Sequence, residues 1–209
     1  MHTENIQTRA LQQTDDDIDE ERVRELITRI KGGDDHAFTD LVHRYRNQVA
    51  ALAYRMVNDY DEAADITQIV FVKMSRSLSQ YDEGRKFYTW LYRITVNASI
   101  DHMRKHNRHR HEPIENFQNS LESGQADPDQ TYRRRQITDY ITEVAQSLNE
   151  KQRSAFLLRD IQGCKIDDVA HIMNMPEATV RWYLHRARTK IRRELSRRYP
   201  HLLRSMGIG

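Results

Sequence analysis

Residues Asp167 to Ile191 read DDVAHIMNMPEATVRWYLHRARTKI, and their pattern decides the fold. Val169, Ala170, Ile172 and Met173 give the first part an apolar helical face. Asn174 tolerates a left-handed backbone, and Pro176 has the fixed dihedral suited to a first helical position, so a sharp turn and a helical restart are encoded together. Past the turn, Val180, Leu184, Ala187 and Ile191 recur at near-helical spacing and predict a core-facing stripe. Arg181, His185, Arg188 and Arg192 then point outward together, a basic face suited to a DNA major groove and its flanking phosphates. The stretch predicts a helix-turn-helix. A basic amphipathic helix is more often a plain solvated face, but here the turn signature and the charge bias coincide.

The bias extends to the end of the chain. Between Val180 and Arg204 the bases Arg181, Arg186, Arg188, Lys190, Arg192, Arg193, Arg197, Arg198 and Arg204 face only Glu194, the footprint of a polyanion site. At the other end Glu4, Asp15, Asp16, Asp17, Asp19, Glu20 and Glu21 face only Arg9, which predicts a disordered acidic tail over 1–21. The formal net charge of +2 conceals this segregation.

A chain of 209 residues accommodates two small domains, each with its own core. Only 7 glycines and 4 prolines, with 31% charged and 38% apolar residues, suit surface helices better than a turn-rich β protein, so the expected class is all-α. Cys164 is the single cysteine and has no disulfide partner within the chain. No apolar run at the start resembles a signal peptide, and none is long enough to span a membrane. A cytoplasmic protein without direct membrane insertion is expected, any membrane link running through a partner.

Periodicity predicts a short helix through Val23, Leu26, Ile27 and Ile30, ended by Gly32-Gly33, and a longer one from His36 to about Asn58. Asp59 or Asp61 can cap a third, whose buried stripe is Ala64, Ile66, Val70, Phe71, Met74 and Leu78. A loop over 79–86 precedes an aromatic-rich helix from Phe87 to about Arg104. From Glu112 to Gln130 no basic residue occurs, while Glu115, Glu122, Asp127 and Asp129 mix with Ser, Gly, Pro and Asn, the composition of a linker. Further helices are expected near 132–147, 151–161, 167–174 and 177–198.

Two separate motifs then resemble the extracytoplasmic-function (group 4) branch of the sigma-70 family of RNA polymerase sigma factors, over about Ala37 to Leu195. Leu148 to Arg153, Leu157 to Asp160, Gly163, and Thr179-Val180-Arg181 with Leu184 to Arg188 resemble the family's fourth region. Asp61 to Gln68 with Phe71-Val72-Lys73 resembles the core-polymerase-binding helix of the second region, and Phe87 to Ile94 with Asn97 and Asp101 resembles its promoter-melting helix. The resemblance implies a region-two domain over 22–111, a flexible acidic linker over 112–131, a region-four helix-turn-helix domain over 132–200 and a tail over 201–209.

It also implies partners and roles. Core RNA polymerase would be met by Asp61, Asp65, Gln68, Phe71 and Lys73. The −10 element would be met by Tyr81, Arg85, Lys86, Tyr88, Trp90, Arg93 and Asn97, aromatics beside bases being what single-stranded DNA binding uses. Trp90 also reads as a core residue, and the loop from Tyr81 to Arg85 is the better place for a pocket that takes a flipped base. The −35 element would be met by Thr179, Arg181, Trp182, His185, Arg186, Arg188 and Arg192. An anti-sigma factor is the third implied partner, and a stress or envelope response the implied setting. Four positions depart from the family pattern: Trp182 and Tyr183 replace a small residue and a base, Lys165 stands where a Ser often caps, and Cys164 where an apolar residue is common.

His102, His106, His109 and His111 suggest a metal site, the first two being one helical turn apart. Interleaved Arg104, Lys105 and Arg108 repel a cation, and no nearby carboxylate or cysteine completes a ligand set, so no metal and no cofactor is expected. No phosphate loop or Ser-His-Asp arrangement marks a catalyst, and no enzyme activity is expected. The rival reading is a stand-alone helix-turn-helix regulator, which leaves the first domain unexplained. A helical adaptor without a nucleic-acid role conflicts with the basic helix. The acidic tail and linker are further expected to hinder DNA binding by the free chain.

Overall fold

The computed structural model describes residues 20–109 and 140–199, and every regular element among them is helical. The first helix (α1, residues 20–31) ends where two glycines follow, Gly33 taking φ 90° and donating its N–H to the Ile30 carbonyl at 2.9 Å. Helix α2, Asp35–Val57, is capped by the Asp34 carboxylate, which accepts from the His36 and Ala37 N–H groups at 2.9 and 3.1 Å. Asn58, at φ 59°, closes it. Of the two candidate caps for α3, Tyr60–Ser77, Asp59 serves, accepting from the Glu62 N–H at 2.9 Å.

After a 3₁₀ turn at Leu78–Gln80, α4 runs Phe87–His109, past the expected stop near Arg104. No glycine or proline interrupts that stretch before Pro113. The Phe87 N–H at its start donates to Glu20 Oε1 at 2.7 Å, which places an acid at the positive end of the helix. Glu20 and Glu21, assigned above to a disordered tail, therefore lie in α1, and Glu20 has a structural partner. The tail up to residue 19, the linker 112–131 and the tail 201–209 lie outside the described residues.

In the second half, α5 is described over 140–145. Helix α6, Glu150–Phe156, opens on a reciprocal capping box between Asn149 and Gln152. It widens into a π turn at Leu157–Ile161, where the Gln162 N–H reaches the Leu157 carbonyl at 2.9 Å. Helices α7, Ile166–Ile172, and α8, Glu177–Arg198, follow.

Two apolar clusters hold these helices. One, with Ile27, Leu41, Ile66, Met74, Phe87 and Leu91, is built from the first half alone. In the other, Leu52 and Met56 of α2 and Tyr92 and Val96 of α4 pack with Val144, Leu157, Leu158, Ile172, Val180 and Leu184. The second half thus closes its core on the first, where separate cores were expected. A helical unit of about 60 residues buries a smaller fraction of its surface alone than a larger domain does, and the apolar faces of α2 and α4 add to its core. Among the described residues no helix is long and apolar enough to cross a membrane.

Candidate nucleic-acid interface

The turn ahead of α8 forms as its residues predict: Asn174 adopts φ 51°. Pro176 stands one position earlier than expected, as the cap, and α8 starts at Glu177. Val180, Leu184, Ala187 and Ile191 are buried, which leaves Arg181, His185, Arg186, Arg188 and Arg192 exposed and Thr179 half-buried. Trp182 is 52% exposed, with the Arg186 guanidinium 5.2 Å over its ring and Tyr183 edge-on at 5.0 Å. Arg181 is paired with Glu177 at 2.8 Å. Arg188 grips Asp160 through two nitrogens at 2.9 and 2.6 Å, which holds its guanidinium more firmly charged. Lys165 offers no side-chain cap to α7, and Asp167 and Asp168 occupy its first turn.

On α3, Asp61, Asp65, Gln68 and Lys73 are exposed and Phe71 is half-buried. Between them Ile69 and Val72 are 43% and 48% exposed. Sequence reasoning named Val72 only within a motif and passed over Ile69, although both fall off the buried stripe of Ile66, Val70 and Met74.

The −10 candidates separate into two groups. Arg85, Arg93 and Asn97 are exposed, and Lys86 is half-buried with its ammonium 6.0 Å over the Tyr88 ring. Tyr81 is only 5% exposed; its hydroxyl donates to the Arg85 carbonyl, and its ring lies 5.6 Å from Trp90 and 5.4 Å from Phe87. Tyr81 and Trp90 thus fill the loop region where a base pocket was sought. Tyr88 turns toward the helix-turn-helix, its hydroxyl donating to Asp168 Oδ2 at 2.6 Å. Burial first, and then the Asp168 carboxylate, keep this phenol protonated. Asp168 and Asp160 had no assigned role, because their partners lie far away in sequence.

Cys164 is buried, and burial pushes its thiol up to about 12. The expectation that no carboxylate joins the histidines needs correction. Glu62, from α3, reaches His102 Nε2 at 3.5 Å and His106 Nδ1 at 3.3 Å. His111 and the side chain of His109 lie outside the described residues.

Comparison with known proteins returns two family models in order, Sigma-70 region 2 over residues 41–109 and Sigma-70, region 4 over residues 138–191. The RNA polymerase sigma-H factor of Pseudomonas aeruginosa is 32% identical over 186 residues, spanning 85% of this chain and 96% of its own. The ECF RNA polymerase sigma-E factor of Escherichia coli K12 is 34% identical over 177 residues, spanning 79% and 90%. Two solved structures share the fold. CnrH, in complex with the cytosolic domain of CnrY, matches with a TM-score of 0.64 at 22% identity, over 85% of this chain and 99% of that one. The sigma factor RpoE of Bartonella quintana, bound to the anti-sigma factor NepR, matches with a TM-score of 0.61 at 21% identity, over 76% and 96%.

Proposed function

The chain belongs to the sigma-70 family of RNA polymerase sigma factors, and we propose that it works in the cytoplasm as an alternative sigma factor of the extracytoplasmic-function kind. It binds core polymerase, directs it to a dedicated set of promoters in a stress or envelope response, and is held inactive by an anti-sigma factor. The solved RpoE complex with NepR supports that last point by analogy. Members of this family are initiation factors, and this chain supplies recognition to the polymerase's chemistry without catalysing a step itself.

The observation that carries the reading is the outward face of α8, where Arg181, His185, Arg186, Arg188 and Arg192 stand exposed on a stripe fixed from behind by Val180, Leu184, Ala187 and Ile191. Entering the major groove of the −35 element, this face exchanges Glu177 and Asp160 for base edges and phosphates. Helix α3 docks on the polymerase through Asp65, Gln68 and Lys73, with the bare side chains of Ile69 and Val72 supplying apolar contact. At the −10 element Arg85, Lys86, Arg93 and Asn97 meet the strand, while Tyr81 and Trp90 shape the loop by packing. The domain boundaries at 22–111 and 132–200 belong to the same proposal.

Transcription in vitro with core polymerase over a promoter library tests it. Initiation at a defined promoter class that depends on the added chain is the expected result. Tight duplex binding by the chain alone, with no gain in transcription, would return the stand-alone regulator.

A further inference from the structure

We propose that Glu62, His102 and His106 form a site for a divalent transition ion of borderline softness, such as Zn²⁺, Co²⁺ or Ni²⁺, that clips the first turn of α3 to the C-terminal half of α4. His102 and His106 are one turn apart on α4, with near-parallel rings 5.8 Å between centroids, so both imidazoles face the same way. Glu62 meets them from the neighbouring helix, one carboxylate oxygen toward each ring, and the three residues offer ligand atoms within 4.8 Å of one another.

The spacing favours an ion over a hydrogen bond. Separations of 3.5 and 3.3 Å are long for N–H···O bonds. Two ligands about 2.0–2.1 Å from a tetrahedral ion lie about 3.3–3.4 Å apart, close to the two imidazole–carboxylate separations. His102 Nε2 is buried and has no hydrogen-bond partner, an unmet acceptor or donor that coordination would satisfy. Of the cations interleaved with the histidines, Arg104 is drawn away to Glu150, its Nη2 2.9 Å from that carboxylate. His106 remains half-exposed, so water can complete the shell and the ion has a path in. Two imidazoles and one carboxylate suit Zn²⁺, Co²⁺ and Ni²⁺, whereas Mg²⁺ and Ca²⁺ take oxygen ligands.

Titration of the full-length, tag-free chain with Zn²⁺ by calorimetry, and with Co²⁺ by visible absorption, tests the site. One saturable equivalent, a tetrahedral Co²⁺ band and a Zn²⁺-dependent rise in melting temperature are expected. His106→Gln and Glu62→Gln should each weaken binding by about tenfold or more with the helical circular dichroism unchanged. His102→Gln should do the same; as His102 is the more buried ring, the half-exposed His106 carries the test should that variant unfold. No saturable binding would leave simple His–Glu ion pairs and overturn the proposal. So would undiminished binding by the His102→Gln, His106→Gln double variant, which would put the ion among the other histidines.

Discussion

The guanidinium of Arg153 donates through Nε to the Ala145 carbonyl at 3.1 Å and through Nη2 to Gln146 and Leu148 at 2.8 and 3.2 Å. Its Nη1 reaches the Met56 carbonyl in the last turn of α2. One side chain thus satisfies carbonyls at the ends of two helices and ties the halves together. Burial lowers its pKa to about 10, so it stays charged at neutral pH. Arg153→Ala should cost about 3 kcal/mol or more in urea denaturation, because buried carbonyls lose their partners. Arg153→Lys should restore only part, a point charge being no substitute for a planar fork. Alkaline pH provides a second test at this scale. The Cys164 thiol is pushed from 9.0 to about 12, so above pH 9 the unfolded chain gives up a proton that the folded chain keeps. Stability from this group is whole below pH 9 and lost as pH rises toward 12, and Cys164→Ala should flatten that part of the stability profile.

Helices α1, α3, α7 and α8 were legible because each pairs a 3.6-residue apolar stripe with a stop or cap written nearby: Gly32-Gly33, Asp59, and Asn174 with Pro176. The π turn after α6 was not, since Leu157 to Ile161 reads as ordinary helix in the sequence. On α8 the exposed Arg181, His185 and Arg192 can change without loss of fold. Arg181→Ala or His185→Ala in holoenzyme should cost roughly 1–3 kcal/mol and relax preference at one −35 base pair, whereas Arg192→Ala should weaken all sequences alike and flatten the salt dependence. Upstream-element selection would show this, and wild-type preference in all three would remove α8 as the reader. On α3, Asp65→Ala with Lys73→Ala should weaken a core-polymerase pull-down in a chain that remains helical. Adding Val72→Ser should weaken it further, since Val72, at 48% exposure, leaves about half of its apolar surface for a partner to cover.

At the scale of the whole molecule, what the sequence could not show is how the halves meet. The partners Tyr88 and Asp168, or Arg153 and the Met56 carbonyl, are joined by tertiary folding across segments with no periodic link. As folded, α7 seats on the start of α4, so the Tyr88 hydroxyl that the −10 reading assigns to DNA is held by Asp168. If Tyr88 contacts the promoter strand, that bond must break first, and its net worth sets a tax on free-chain binding. Asp168→Ala removes the acceptor and leaves the apolar cluster around Tyr92 and Leu158 in place. A loss of about 1 kcal/mol from the closed seat shifts an open–closed equilibrium roughly fivefold. The variant should therefore bind a single-stranded −10 oligonucleotide roughly fivefold more tightly than the parent, with a larger radius of gyration by small-angle scattering. Removing residues 1–19, but sparing Glu20 because it caps α4, should add a further gain that fades with salt, the repulsion of phosphates being screened. Equal affinity and equal size for parent and Asp168→Ala would show that the α4–α7 seat does not compete with the promoter.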